Sequence, residues 1–495
     1  MSAERSQQQH EIYERARLAR DARFDGQFYI GVKTTGIYCR PICPANAPKS
    51  ENVEFYPSAA AASEAGFRPC LRCRPECAPG TPAWSGTSTT VRRGLRLIAG
   101  GALDDGNVER LAERLGVTSR HMRRLFTHHL GASPLAVAHT QRLHFAKRLI
   151  DETDLSMQHI AGAAGYGSVR RFNDAFKNTY GRSPRELRKA GEPERVNDAA
   201  APLNVRLPYR QPFDWHAQLR FWADRATPGV ETVVDDTYWR TLSIDGEHAV
   251  ISVRPAQQDG YLSLGLQGVD TSRLFEIVQS AREVFDLDAP IAEIASVLAA
   301  DDVLQKALRA NPGVRVPGAW DGFELTVRAV LGQQISVKAA TTLAGRIAAR
   351  YGEPLQLKYP EASVNLARIF PTPDKLRRAR LNNMGLVTSR AETIRRIAAV
   401  VADGQLTFDA AQEPQDFVAT LKSIRGVGDW TAQYVAMRAL KNPDAFPASD
   451  LGLLKSIDRS QRVTPANLEQ RAESWRPWRA YAALLLWGSL AGSGG

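Results

Sequence analysis

Four cysteines offer the densest chemistry in this chain. Cys39 and Cys43 are spaced C-x3-C, Cys70 and Cys73 are spaced C-x2-C, and both pairs lie within residues 39–73. Two such pairs can bring four thiolates tetrahedrally round one Zn²⁺. On spacing alone that is a structural zinc. Paired disulfides are the competing use, but the opening MSAERSQQQHEIYERAR has no apolar core like that of a signal peptide, which points to a reducing compartment. The chain has five cysteines. The fifth, Cys77, falls outside the metal spacing and reads as a bystander thiol.

A second chemical feature lies near the other end. In IRGVGDWTA, Gly426 and Gly428 make a tight turn leading into a helix, where exposed backbone N–H groups and the helix dipole can hold a phosphate. A plain connection between helices would use the same glycines. Asp450, in FPASDLGL, is placed to cap the helix LGLLKSI, and a cap position fixes a carboxylate at a cleft edge. Trp430, Tyr434 and Trp487, taken singly, read as core aromatics.

Several domains must position these groups. A chain of 495 residues implies three or four. No apolar run approaches the ~18 residues of a membrane span. The net charge of +11 is unevenly placed: residues 1–190 hold 29 Lys+Arg against 18 Asp+Glu, and the remainder is balanced. A basic front part suits a polyanion, although a solvated basic surface has the same composition. The stretches PGTPAWSGTST (79–89) and KAGEPERVNDAAAP (189–202) read as linkers.

Between the linkers the pattern predicts two helix-turn-helix units. In the first, Leu111 and Leu115 mark an apolar face and Gly116 breaks the helix. Thr118 or Ser119 then caps a helix whose Met122, Leu125 and Phe126 fall at i, i+3 and i+4. Arg120, His121, Arg123 and Arg124 face outwards. In the second, Ile160 and Ala164 pack, Gly165 turns, Ser168 caps, and Phe172 and Phe176 anchor the face, leaving Arg170, Arg171 and Asn173 for DNA. With Ser119 and Ser168 as caps, a helix from Pro134 to about Ile150 joins two recognition helices that can enter successive major grooves. A helical bundle with solvated arginines is the plainer reading of this pattern. Beyond the second linker, HAVISVRP and YLSLGLQ alternate as strands do. From about residue 290 the pattern is helical.

The words around these residues sharpen the reading. FDGQFYIGVKTTGIYCRPICPAN, ENVEFY and AGFRPCLRCRPE closely resemble the metal-binding domain of the Ada family over about residues 10–80. That resemblance implies zinc held by Cys39, Cys43, Cys70 and Cys73, with Cys39 accepting a methyl group from a methylated DNA phosphate. Four thiolates round Zn²⁺ leave about −2 of net charge, so a bound sulfur stays ionised and electron-rich. Methylation removes one negative charge, which should raise affinity for DNA. Pro44, Ala45 and Asn46 stand where the family often has arginines; Thr35 and Arg68 remain as candidate phosphate contacts. AAGYGSVRRFNDAFKNTYGRSPRELR resembles the second half of the AraC-type DNA-binding domain. The O6-alkylguanine methyltransferase domain of many Ada proteins needs a further cysteine, and none follows Cys77.

IRGVGDWTA, FPASDLGL and PANLEQRAESWRPWRAYAALLLW resemble helix-hairpin-helix DNA glycosylases of the AlkA type, over about residues 204–488. The resemblance implies Asp450 as the catalytic carboxylate, and Trp430, Tyr434 and Trp487 lining the pocket for a flipped base. Relatives that also cut the backbone carry a lysine where Trp430 stands, so a monofunctional enzyme is expected. Gln334, in LGQQIS, stands where the family inserts a wedge into DNA, and Leu451 where an aromatic often follows the aspartate.

The expected fold is multidomain, α+β. It comprises a small zinc-bound α/β domain (1–80), an all-α double helix-turn-helix domain (90–190), a small mixed α/β subdomain (204–288) and an all-α helix-hairpin-helix glycosylase domain (289–490). The expected function joins an alkylation-responsive transcriptional activator, switched by Cys39, to a DNA-3-methyladenine glycosylase driven by Asp450. The alternative is a methylation-sensing regulator whose glycosylase fold only grips DNA. Expected partners are alkylated and promoter double-stranded DNA and RNA polymerase. The chain is expected to be a cytoplasmic, nucleoid-associated monomer without membrane contact.

Overall fold

The computed structural model describes residues 2–78, 89–104, 106–188, 203–357, 364–409, 412–457 and 463–491. The two linkers, 79–89 and 189–202, lie outside the described residues, except that Thr89 opens the helix Thr89–Ala99. The chain divides into two compact units. One contains residues 1–211 with 270–279 and 287–290; the other contains 212–269, 280–286 and 291–495. Among the described residues no helix is long and apolar enough to cross a membrane.

In the first unit, a four-stranded sheet carries the cysteines. Its order is Val53–Tyr56, Tyr29–Val32, Ile37–Cys39, Arg68–Pro69, antiparallel except for the last, parallel pair. Alternation puts Phe28, Ile30 and Val53 on one face, where Tyr13 of the opening helix stacks on Phe28 with centroids 4.1 Å apart. Tyr29 and Tyr38 go to the other face, against Ala59 and Ala62 of the helix Ala59–Glu64.

Seven helices follow among the described residues to 188. Val108–Arg114 and Ser119–Leu130 form the first helix-turn-helix; Met157–Ala163 and Val169–Tyr180 form the second. Gly116 (φ 70°) and Gly165 (φ 75°) make the turns in the left-handed region, where a side chain would be strained. Leu111, Met122, Phe126, Ile160, Phe172 and Phe176 are all fully buried. The first cap differs from the expected Ser119: Thr118 accepts the His121 N–H, and Ser119 is already helical. Thr118 has the extended backbone that a cap needs, one residue nearer the turn. The joining helix runs Pro134–Glu152 from a Ser133 cap.

The second unit begins with the helix Trp215–Arg225 and an antiparallel meander of Glu231–Val234, Thr237–Ile244, Glu247–Pro255 and Tyr261–Gln267. Its first two hairpins turn on Asp235–Asp236 and Asp245–Gly246, all at positive φ, the turn that matches strand twist. Helices then dominate. Gly322–Leu331 is pinned to the meander by buried charges: Glu231 accepts from Arg240 at 2.6 Å and from Arg328 at 2.8 Å, and Glu324 pairs with both arginines. Buried ions are tolerated when they compensate each other this closely. Burial opposes the charge on Glu231, but Arg328 and Arg240 outweigh it and hold the carboxyl below the usual carboxylate range.

Candidate functional site

The metal-type cysteines are assembled by strand pairing. Cys39 ends Ile37–Cys39, and Arg68–Pro69 pairs in parallel beside it, with the Cys70 N–H donating to the Tyr38 carbonyl at 3.0 Å. Tight turns bring in the partners: the Cys43 N–H reaches the Arg40 carbonyl, and the Arg74 N–H reaches that of Cys70. The four Sγ atoms all lie within 4.8 Å of one another. Zn–S bonds of about 2.3 Å set a tetrahedral edge of about 3.8 Å, so the donor set and its spacing fit zinc. The Arg40 N–H also points at Cys73 Sγ at 3.4 Å, an outer contact that favours a thiolate. Cys70 and Cys73 are buried, whereas Cys39 and Cys43 are half-buried. Burial pushes the Cys77 thiol up to about 11, so it stays protonated and inert.

This half is joined to the helical half by long-range polar contacts within the same unit. Tyr38 Oη is 2.8 Å from His144 Nε2 on Pro134–Glu152. Burial holds His144 down at about 4, so the ring is neutral at physiological pH. Arg74, just after Cys73, pairs with Asp151 at 2.7 Å, and Glu76 with Lys147 at 3.5 Å. The Ser58 hydroxyl donates to the Leu130 carbonyl, and Glu64 accepts from both the N–H and the hydroxyl of Ser133. Thr35 is exposed and donates to the Val32 carbonyl. Arg68, also exposed, lies against Gly181 at the end of Val169–Tyr180. Arg120, Arg123, Arg124, Arg170, Arg171 and Asn173 are all exposed on the second helices of the two motifs. Arg123 meets Glu109 at 3.2 Å with both side chains exposed, a contact worth little.

In the second unit, Gly426 and Gly428 form the turn between Pro414–Ser423 and Asp429–Arg438. Gly428 caps the latter helix without a side-chain hydrogen bond, which leaves its first N–H groups to the outside. Gly426 has φ 98°, and a Cβ there would lie 2.0 Å from Thr393 Oγ1. Gly426→Ala is therefore expected to lower stability by about 2–3 kcal/mol and weaken duplex binding, read by thermal melting and fluorescence anisotropy. The Gln333 amide donates to the Gly426 carbonyl and to Thr431, tying the turn to LGQQIS. Next to it, Gln334 is exposed and left-handed (φ 58°).

Asp450 collects three N–H donors: Trp430 Nε1 at 2.7 Å on one oxygen, and Trp487 Nε1 and the Leu453 N–H, each at 2.9 Å, on the other. It thus caps Leu451–Ile457 while both oxygens are aimed. The Trp430 and Tyr434 rings stack with centroids 5.3 Å apart, and Trp487 meets Tyr434 edge-on at 6.3 Å. The fold therefore brings all four of these sequence candidates together. Sequence reasoning missed Gly452, where a Cβ would lie 2.9 Å from Asp450 Oδ1 and 3.3 Å from Trp487. Its signal was a glycine inside an otherwise apolar helix start. Leu451 is 72% exposed.

Four family models match in succession: the metal binding domain of Ada (13–76), a helix-turn-helix domain (111–190), the AlkA N-terminal domain (204–321) and the HhH-GPD superfamily base excision DNA repair protein (327–480). The chain is 40% identical to the probable bifunctional transcriptional activator/DNA repair enzyme AlkA of Mycobacterium tuberculosis, covering 97% of each. It is 34% identical to DNA-3-methyladenine glycosylase 2 of Escherichia coli over 57% of this chain and 95% of that protein. It is 33% identical to the bifunctional transcriptional activator/DNA repair enzyme Ada of Escherichia coli over 37% of this chain and 50% of that protein. The solved 3-methyladenine DNA-glycosylase from Archaeoglobus fulgidus shares the fold, at TM-score 0.50 and 21% identity, over 57% of this chain and 96% of that one. Ada-type metal domain, helix-turn-helix and glycosylase fold thus follow one another in a single chain, which belongs to the family of bifunctional transcriptional activator/DNA repair enzymes AlkA.

Proposed function

We propose that this chain removes alkylated purines from DNA through Asp450 and senses alkylation through Cys39. The observation that carries the first activity is the doubly aimed carboxylate between two indoles. A damaged purine flipped from the duplex enters beside Trp430, Tyr434 and Trp487, whose ring faces attract a cationic base. As the N-glycosidic bond breaks, the sugar gains oxocarbenium character, and the Asp450 carboxylate stabilises that charge. Trp430 offers an indole rather than an amine. Cleavage therefore ends in hydrolysis and leaves an abasic site. Gly426 and Gly428 hold the phosphate backbone, and Gln334 is the polar plug that fills the vacated stack.

Cys39, Cys43, Cys70 and Cys73 would hold one Zn²⁺, which when bound keeps all four sulfurs as thiolates at neutral pH. Cys39 Sγ attacks the methyl carbon of a methylphosphotriester; the S–C bond forms as the C–O bond breaks, and the phosphodiester leaves as an anion. The product thioether carries one negative charge less, so repulsion of the DNA backbone falls. Thr35 and Arg68 contact that backbone, and the two helix-turn-helix motifs, with Arg120, Arg123, Arg124, Arg170, Arg171 and Asn173, bind promoter DNA for RNA polymerase. Cys39→Ser is expected to take up no methyl from DNA carrying methylphosphotriesters, whereas wild type takes up one per chain, read by peptide mass spectrometry. A methyl group found on Cys43 overturns the choice of acceptor.

A further inference from the structure

Beneath the aromatic set lies a buried cation that base excision, as described, does not use. Arg438 is 5% exposed. Its Nε donates to the Pro317 carbonyl at 2.8 Å, its Nη2 to the Gly318 carbonyl at 2.9 Å, and its Nη1 to Tyr434 Oη at 2.7 Å. The guanidinium carbon sits 4.9, 5.6 and 5.4 Å from the ring centroids of Phe221, Trp222 and Tyr434. Among the described residues no carboxylate pairs with it. Taking a guanidinium out of water without a counter-ion is costly, and neutral carbonyls and ring faces offset only part of that. Among the described residues, the one titratable group in direct contact with it is the Tyr434 phenol.

Two other charges face this phenol, both from neighbouring helices: Arg225 of Trp215–Arg225 and Arg328 of Gly322–Leu331. Arg328 is neutralised by Glu231 and Glu324, whereas Arg225 has no acid partner among the described residues. Burial alone would push Tyr434 up. The positive field of Arg438 and Arg225, the hydrogen bond from Arg438 and the field of Arg328 outweigh it, and the phenol is lowered from its ordinary value.

We propose that Arg438 and Tyr434 form a guanidinium–phenolate pair that sets the charge preference of the base pocket, favouring cationic alkylpurines over neutral bases. Arg438 is thus a positioning residue that acts through Tyr434. With the phenol neutral, the Arg438 charge would stand uncompensated behind the ring and repel an alkylpurinium. With the phenol ionised, that charge is cancelled and negative density spreads over the ring that faces the base. The inference rests on the reading of the Asp450 pocket as the site of base excision.

The test compares release of 7-methylguanine, which is cationic while bonded to the sugar, with release of hypoxanthine, which is neutral there, from duplex DNA by the full-length chain. Tyr434→Phe keeps the ring and strands the arginine charge, so the ratio of cationic to neutral release is expected to fall at least fivefold. Arg438→Met removes both the charge and the cause of ionisation, and its ratio should lie between those of Tyr434→Phe and wild type. A second readout is independent of activity. The tyrosinate absorbance titration of wild type should show one phenol ionising at lower pH than the others, absent in Tyr434→Phe and moved upward in Arg438→Met. Superimposable titrations, or equal losses of both releases in Tyr434→Phe, overturn the proposal. If Arg438→Met does not fold, Tyr434→Phe alone decides both readouts. Release that does not need Asp450 defeats the reading of the site; release that needs Asp450 with an unmoved ratio defeats only the pair.

Discussion

Asp450→Asn is expected to slow release of 7-methylguanine from duplex DNA by about 10³-fold, which corresponds to about 4 kcal/mol in the barrier. The carboxylate accepts three N–H bonds through two oxygens. Asparagine offers one acceptor oxygen and an amide that can only donate. Either the Trp430 or the Trp487 indole then faces a donor, a local cost of about 1–3 kcal/mol. The variant should therefore melt earlier as well, and the rate must be measured where circular dichroism shows it folded. Folded Asp450→Asn releasing base within tenfold of wild type would remove Asp450 from the mechanism.

Removing zinc is expected to have the largest structural effect. Structural zinc supplies on the order of 10 kcal/mol of folding free energy in small domains. The cysteine-bearing half has little core to replace it, for the clusters around Phe28 and around Tyr38 contain four buried residues each. The damage should spread, because Tyr38, Ser58, Glu64, Arg74 and Glu76 all bond into the helical half. Hydrogen exchange of the full chain treated with a chelator should show loss of protection in residues 29–77 and, to a smaller degree, along Pro134–Glu152. Unchanged exchange in that helix would show that the contacts carry no stability across the seam.

What the sequence revealed and what it hid divide along a physical line. Gly116, Gly165 and Ser168 were readable because turns and caps are local: the residue's own backbone preference decides. The placing of the first cap at Ser119 rather than Thr118 missed by one residue, as two adjacent hydroxyls both satisfy the pattern. The cysteine quartet was legible from spacing and resemblance. The pairing of Tyr38 with His144, 106 positions along the chain, leaves no local period, so the merging of cysteine-bearing and helical halves into one unit was invisible. Resemblance pointed to Asp450 and its aromatics, but not to the three donors holding it nor to Arg438 behind Tyr434. Both are consequences of packing between helices distant in sequence.

The three N–H bonds on Asp450 also divide this pocket into a part that is free to drift and a part that is not. Glutamate would carry its oxygens beyond the indoles and the Leu453 N–H, and Gly452 leaves no room for a side chain to follow. Leu451, one residue away, points outwards and is bound by none of these constraints. Position 451 can therefore vary without disturbing the three N–H bonds that hold Asp450.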